Sequence, residues 1–337
     1  MNPLRLAFLG SDPIALPLLN WLAGEGAAVG SVVAVFTQPD RPAGRGQRIV
    51  ANAIKQWAVA HGVAVRQPEK VTDEVRAELA AFGADLSLVM AYGHILREEF
   101  IATPRLGTVN LHASTLPKYR GASPIQTAIA CGERETGVSL MRMVRKLDAG
   151  PVADIERLPI ARLDTAIEVE AKLAAACVPL LARSLPRLAR GELEFRAQEE
   201  AAASYCRKLE KDDGALDFAA PASVLAGRIN GLFPWPACAT EIAGVAVKLG
   251  LAEAVASGGC HIMYDNGSAP GRVLGTDEAG LLVGTGDGVL RMRRMQRPGG
   301  RMLEAGEFLR GFAIPAGSGL ASRPMPALVA AVPFNKR

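Results

Sequence analysis

The stretch TVNLHASTLPKYRG at residues 108–121 decides how the first half of the chain is interpreted. Its first part, Thr108–Ala113, is typical of a buried strand, and the proline and glycine that follow predict a loop. On a strand, Asn110, His112 and Ser114 lie on one face, because side chains alternate with a period of two. Polar side chains are costly to bury unless they are paired, so this face predicts a functional site at the carboxyl end of a strand.

Apolar strand patterns also precede this stretch, at Arg5–Leu9, Ser31–Phe36 and Leu86–Ala91. Helical patterns separate them along the chain. This alternation predicts an α/β fold, a Rossmann-like and mostly parallel sheet with helices on both faces.

The composition indicates a folded protein of about two domains. The chain has 337 residues, of which 49% are hydrophobic and 21% charged, with a net charge of +4. That charge permits an acidic partner without requiring one. Five widely spaced cysteines without a C-x-x-C motif disfavour a disulfide scaffold and a structural zinc site. We find neither a signal-peptide pattern nor an apolar run long enough to span a membrane, and expect a cytoplasmic protein.

The second half changes in character after a long helix. The capping box Thr165-x-x-Glu168 predicts the start of this Ala/Leu-rich helix, which ends near Gly191. A polar segment follows, and then short β-type runs separated by glycine, asparagine and aspartate predict a small barrel or sandwich. The predicted organisation is an α/β domain at 1–191, a linker at 192–206, a β domain at 207–314 and an extended tail at 315–337.

An aspartate turn at Leu147–Gly150 is the second candidate site. Aspartate in a turn is most often a simple turn former. Here the turn follows a predicted strand, and an aspartate within reach of His112 would orient the imidazole and favour its charged form.

The turn at Gly10–Pro13 lacks the later glycines of a dinucleotide fingerprint, so NAD binding is not expected. No metal-binding motif is found, and no metal is expected.

Two arginine-rich stretches are candidate nucleic-acid contacts. The first, Arg41–Arg48, is a Gly/Pro-rich loop without acidic residues, and the second is Val289–Arg301, also without a carboxylate. Phosphate groups could bind to either, although arginine-rich faces are usually only solvated.

Taken together, these motifs resemble the methionyl-tRNA formyltransferase family over nearly the whole chain. The resemblance is carried by the Phe36–Gly46 loop, Ala91-Tyr92-Gly93, Asn110-Leu-His112-Ala-Ser114, Leu147–Gly150, Tyr205-x-x-Lys208-Leu209 and Arg228–Pro236. Thr115 departs from the family, which more often has leucine there.

This resemblance implies transfer of a formyl group from 10-formyltetrahydrofolate to a methionyl initiator tRNA. It implies that Asn110, His112 and Asp148 are catalytic and that the C-terminal domain is an OB-like β-barrel that binds tRNA. The implied folate contacts are Met90, Tyr92, Gly93, Ile95, Leu96, Ser114, Leu116, Pro117 and Asp148. The implied tRNA contacts are Arg41, Arg45, Arg48, Arg291, Arg293 and Arg294.

Three other functions stay open from the sequence. An N-formyltransferase acting on an amino-sugar nucleotide or a purine precursor would share the Asn/His/Asp set without needing the loop at Arg41–Arg48. A dinucleotide oxidoreductase would need the missing glycines, and a non-catalytic RNA-binding module would not need the polar strand face. We expect a monomer, with the folate donor and tRNA as partners and no membrane partner.

Overall fold

The computed structural model describes residues 3–43, 46–255 and 269–334. The strands in these residues are β1 (Leu4–Gly10), β2 (Gly30–Phe36), β3 (Arg41–Ala43), β4 (Arg48–Val50), β5 (Ala64–Arg66), β6 (Leu86–Met90), β7 (Thr108–His112), β8 (Arg120–Gly121), β9 (Glu135–Arg142), β10 (Val152–Pro159), β11 (Tyr205–Cys206), β12 (Cys238–Ile242), β13 (Val245–Val255), β14 (Val273–Asp277), β15 (Gly280–Gly284), β16 (Val289–Gln296), β17 (Leu303–Glu304) and β18 (Val329–Ala330). The α-helices are α1 (Leu16–Ala23), α2 (Ala53–Ala60), α3 (Asp73–Ala81), α4 (Glu98–Ile101), α5 (Pro124–Ala130), α6 (Ala166–Ala189), α7 (Ala222–Leu232) and α8 (Ala305–Gly311).

The chain divides into two compact units. The first comprises the chain up to Arg120 together with Gly137–Leu158 and Glu170–Ala203, and the second comprises Gly121–Thr136, Pro159–Val169 and the chain from Ser204 onward. Each unit is therefore assembled from segments that are not contiguous in sequence.

A seven-stranded sheet is the centre of the first unit, in the order β10-β9-β7-β6-β1-β2-β5. Strands β5, β2, β1, β6 and β7 are parallel, and β9 runs antiparallel to β7. The central strands are buried along nearly their whole length, as in sheets covered on both faces. The predicted mostly parallel α/β architecture is confirmed.

Short-range capping explains where several helices begin. Asn52 accepts a hydrogen bond from the backbone N–H of Lys55 at 3.0 Å and caps α2. At the start of α6, the Glu168 carboxylate accepts from the backbone N–H of Thr165 at 2.8 Å, and the Thr165 hydroxyl oxygen accepts from Ile167. The predicted long helix thus begins at its predicted cap.

The strand order predicts a ligand site at the carboxyl ends of β1, β6 and β7. The chain winds outward from β1 through β2 to β5 and then returns to β6 on the other side of β1. Open α/β sheets bind ligands where the order reverses in this way. Gly10 ends β1 so close to β6 that a Cβ there would lie 2.5 Å from the carbonyl oxygen of Met90.

The second unit contains an antiparallel sheet. Its strands follow the order β12-β13-β16-β15-β14, and β17 pairs with β16. Side chains of α7 and α8, including Ile229 and Phe308, pack in the hydrophobic core of this unit. The tail adds Leu320 and Leu328 to that core, and its last strand, β18, pairs with β11. The predicted C-terminal β architecture is confirmed as an antiparallel sheet domain. The tail packs against this domain through the core contacts and the strand pairing described above.

Candidate active site

The polar face of β7 lies at the carboxyl edge of the first unit's sheet. Asn110 is 9% exposed and His112 6% exposed, and both side chains occupy the same face. Within the described part of the chain, no protein group forms a hydrogen bond with the Asn110 side-chain amide. An amide donor so nearly enclosed and unused by the protein is available to an oxygen of a bound substrate.

His112 is oriented by the loop that follows β7. Its Nε2 lies 2.9 Å from the carbonyl oxygen of Tyr119. A carbonyl oxygen can only accept a hydrogen bond, so Nε2 carries the proton that is donated to Tyr119. The other ring nitrogen, Nδ1, points away from this carbonyl. Nδ1 lies 3.8 Å from Oδ2 of Asp148. That separation is too long for a hydrogen bond, but it places a carboxylate where a second ring proton would be.

Asp148 occupies a constrained turn. Its φ is +45°, a left-handed conformation that aspartate adopts more readily than most residues. Two residues later, a Cβ on Gly150 would lie 1.8 Å from the carbonyl oxygen of Arg142, so only glycine fits against β9 there. The structure therefore brings Asp148 beside His112, as the sequence analysis expected.

Ser114, the third polar residue of the motif, shapes the loop. It is fully buried, its hydroxyl donates to the carbonyl of Lys118 at 2.6 Å, and its own carbonyl accepts from Ser139. Ser139 in turn accepts from the backbone N–H of Leu116 at 3.0 Å. The Ser114 hydroxyl thus already has a hydrogen-bond partner within the protein, and the predicted folate contact at Ser114 stays a prediction.

The segment after β6 carries most of the other predicted folate contacts. Met90, Tyr92 and Leu96 are buried, and Tyr92 and Leu96 belong to a hydrophobic core cluster of the first unit. Ile95 is instead 81% exposed. Ala91 and Gly93 both have positive φ, so the chain turns sharply there and presents main-chain groups. Backbone atoms and Ile95 are therefore better placed to meet a ligand than the Tyr92 and Leu96 side chains.

Two residues near this turn were not singled out by the sequence analysis. The Gln38 side-chain amide donates to the carbonyl of Tyr92 at 3.1 Å and holds the turn. His94 stacks edge-on against Tyr92 with ring centroids 4.8 Å apart, and burial lowers the pKa of His94. Burial also raises the pKa of the Tyr92 hydroxyl, which has no hydrogen-bond partner among the described residues.

The first arginine-rich stretch contains a hairpin of β3 and β4. Arg41 and Arg48 are exposed and have no carboxylate partner in residues 3–43, 46–255 and 269–334. Arg48 is followed by Ile49, which is 74% exposed. Arg45 lies outside the described residues. The stretch thus combines unpaired cations with an exposed apolar side chain.

The second stretch is neutralised by carboxylates from other strands. On β16, Arg291 and Arg293 bond the buried carboxylate of Glu253 at 3.0 and 2.6 Å, and Arg291 also pairs with Asp277. Arg294 pairs with Glu304 at 2.6 Å. Burial alone would raise the pKa of Glu253, but the hydrogen bonds from the arginines outweigh it and lower that pKa. These arginines already have partners.

Two further arginines follow β16 without such partners. Arg297 and Arg301 flank an exposed turn, and neither has an ion pair among the described residues. Gln296 closes this turn by donating to the carbonyl of Gly300 at 2.6 Å. Arg297 and Arg301 are the more accessible cations of this stretch, whereas the resemblance implies tRNA contacts at the three arginines on β16.

The described residues show neither a metal cluster nor a membrane span. No group of three or more His, Cys, Asp or Glu side chains that could hold a metal ion occurs in that part of the chain. Among the same residues, no helix is both long and apolar enough to cross a bilayer.

Comparison with known proteins supports the resemblance. Residues 4–185 match the formyl transferase family and residues 208–313 match the formyl transferase C-terminal domain. A methionyl-tRNA formyltransferase of Ectopseudomonas mendocina is 42% identical over 90% of this chain and 93% of its own length. One from Aromatoleum aromaticum is 39% identical over 94% of this chain and 96% of its own length.

Solved structures share the fold at low sequence identity. WlaRD, a sugar 3N-formyl transferase, aligns with a TM-score of 0.62 at 16% identity, covering 89% of this chain and 100% of its own. HypX from Aquifex aeolicus, solved with tetrahydrofolic acid, aligns with a TM-score of 0.60 at 17% identity, covering 92% of this chain and 48% of its own. The two family matches and the identity of about 40% to full-length methionyl-tRNA formyltransferases establish that the chain belongs to the formyl transferase family.

Proposed function

We propose that this protein transfers the formyl group of 10-formyltetrahydrofolate to the α-amino group of a methionyl initiator tRNA, in support of translation initiation. The observation that carries the chemistry is the Asn110 amide, which is nearly enclosed and unused by the protein, on the strand face that it shares with His112. The acceptor is inferred from the full-length relatives, which are named methionyl-tRNA formyltransferases.

The three polar side chains suit an attack by an amine on a formyl carbon. A carbon–nitrogen bond forms to the amine, and negative charge develops on the formyl oxygen. The Asn110 amide can stabilise that oxygen, and so can a proton on Nδ1 of His112, because the Nε2 proton is already donated to the carbonyl of Tyr119. The Asp148 carboxylate, 3.8 Å from Nδ1 of His112, accepts the proton leaving the amine, directly or through a water. The bond between the formyl carbon and the donor nitrogen then breaks as that nitrogen takes up the proton, which leaves tetrahydrofolate and the formylated amine.

For the donor, we propose a site along residues 90–96 and the Asp148 turn. Main-chain groups turned by the positive φ of Ala91 and Gly93 would bond the polar edge of the pterin ring, with Ile95 against its face. Met90, Leu116 and Pro117 would line the pocket, and no metal enters this scheme.

For the tRNA, we propose that the hairpin cations Arg41 and Arg48, with Arg45, contact the acceptor end. Arginine can pair with phosphates and stack on unpaired bases. In the C-terminal unit, Arg297 and Arg301 would add phosphate contacts, because the arginines on β16 are already paired to carboxylates. Since the acceptor is a charged tRNA, the reaction belongs in the cytoplasm, and we propose that a monomer carries it out.

A formylation assay with 10-formyltetrahydrofolate tests the acceptor. Charged initiator tRNA, charged elongator methionyl-tRNA and an amino-sugar nucleotide are compared at equal donor concentration. We expect efficient formylation of the initiator tRNA alone. Preferred formylation of the sugar nucleotide would overturn the proposal in favour of a small-amine N-formyltransferase.

A further inference from the structure

The segment between α6 and β11 lies along the Asp148 turn. Arg196 pairs with Val152 through two backbone hydrogen bonds of 2.8 and 2.9 Å, directly after that turn. The guanidinium of Arg142 lies over the ring of Phe195, with its Cζ 4.3 Å from the centroid of that ring. We refer to residues 195–200 as the strap. The strap lies within the residues predicted as a linker, and it belongs to the first unit.

One strap residue, Gln198, bonds the backbone on both sides of the turn. Its side-chain nitrogen donates to the carbonyl of Asp148 at 2.8 Å and to the carbonyl of Gly150 at 2.7 Å. Both amide protons are therefore used within a single turn. The Leu147 side chain at the start of the turn is 57% exposed and adds little packing there.

Arg120 fixes the orientation of the Gln198 amide by bonding its oxygen. Nε of this fully buried arginine donates to Oε1 of Gln198 at 3.0 Å. A flipped amide would place its oxygen against two carbonyls and its nitrogen against a guanidinium, so only one orientation is satisfied. Arg120 also pairs with Glu200 at 3.0 Å. Hydrogen bonds from Lys146 and Arg120 lower the pKa of Glu200 to about 2, so this anchor stays ionised at neutral pH.

The same short segment orients His112. The carbonyl of Tyr119 accepts from Nε2 of His112, and the next residue, Arg120, supports the Asp148 turn through Gln198. We propose that Gln198, oriented by Arg120, is a positioning residue that sets the distance between the Asp148 carboxylate and the His112 ring. The inference rests on the proposed roles of Asp148 and His112 in formyl transfer.

The size of the effect follows from the geometry. The two side chains stand 3.8 Å apart, so a shift of about 1 Å decides whether Asp148 can bond the ring. A misplacement of about 1 Å can cost about 100-fold in rate. We expect Gln198→Ala and the equally long Gln198→Met to lower kcat by about 10- to 100-fold, a larger factor than the rise in the KM for the donor, whose proposed site includes the same turn. The neighbouring Glu199→Ala, at an exposed strap position, is the matched control and should keep the wild-type kcat.

A double-mutant cycle with Asp148→Ala separates positioning from a merely structural role. If Gln198 acts through Asp148, adding Gln198→Ala to the Asp148→Ala variant changes kcat less than about twofold. An equal, additive loss in both backgrounds, or an unchanged kcat in folded Gln198→Met, would overturn the inference while leaving the proposed function intact. If Asp148→Ala alone retains wild-type kcat, the proposed role of Asp148 fails instead, and this inference fails with it.

Discussion

Replacing Asn110 by alanine should separate catalysis from folding. The side-chain amide bonds no protein group in the described residues, so the change removes no internal hydrogen bond and leaves no partner unpaired. It does remove one donor to the developing oxyanion. Loss of one such donor typically costs about 100- to 1000-fold in kcat, or about 2.7–4 kcal/mol of transition-state stabilisation.

The assay is steady-state formylation of charged initiator tRNA, with thermal unfolding measured on the same samples. We expect kcat to fall by about two to three orders of magnitude while the KM for the donor changes little, because the amide acts mainly in the transition state. The matched control is Thr108→Val on the same face of β7, which removes a hydrogen bond of 2.8 Å to the carbonyl of Ile101, away from the site. That variant should lose some stability and keep its kcat.

A folded Asn110→Ala protein with kcat within about threefold of wild type would refute the oxyanion role. So would an equal loss of kcat in Thr108→Val, because the effect would then belong to the strand and not to the amide. A large fall in the unfolding temperature of Asn110→Ala would show that the amide has a structural partner, contrary to the geometry described above.

Three further predictions follow from other parts of the structure. Replacing Arg41 and Arg48 by alanine should raise the KM for charged tRNA and reduce the slope of its salt dependence by about one unit for each lost phosphate contact, with donor binding unchanged; unchanged kinetics across a salt series would reject the hairpin as a tRNA contact. Gly150→Ala should reduce kcat and destabilise the protein, because its Cβ would lie 1.8 Å from the carbonyl oxygen of Arg142; wild-type activity and unfolding temperature would show that the turn relaxes freely. Glu253→Gln should lower the unfolding free energy at pH 7 by about 3 kcal/mol, since it removes one partner of a buried ion-pair cluster. Because the folded-state pKa of Glu253 is lowered, its contribution is present above its ordinary pKa and is lost as pH falls through the folded value, so the variant should show a flatter loss of stability below about pH 4.5 in denaturant titrations.

Short-range patterns in the sequence predicted the elements that carry the site. The alternation of Asn110 and His112 within a β-type run placed both on one strand face, and the structure confirms that arrangement. The cap formed by Thr165 and Glu168 predicted where α6 begins. Such signals span only two to four residues, so they can be interpreted from the sequence without knowing which distant residues will pack nearby. The resemblance to the formyl transferase family then added the expected role of Asp148.

Long-range pairing was decided by the tertiary structure alone. The arginines on β16 have no carboxylate near them in sequence, but strand register brings Glu253 to both Arg291 and Arg293 from about 40 residues away. Gln198 likewise reaches the Asp148 turn across 50 residues. A sequence period determines which face a side chain occupies, but it does not determine which strand or segment will lie against that face. That depends on the order in which strands join a sheet and on the burial of charge, which only the packed chain decides.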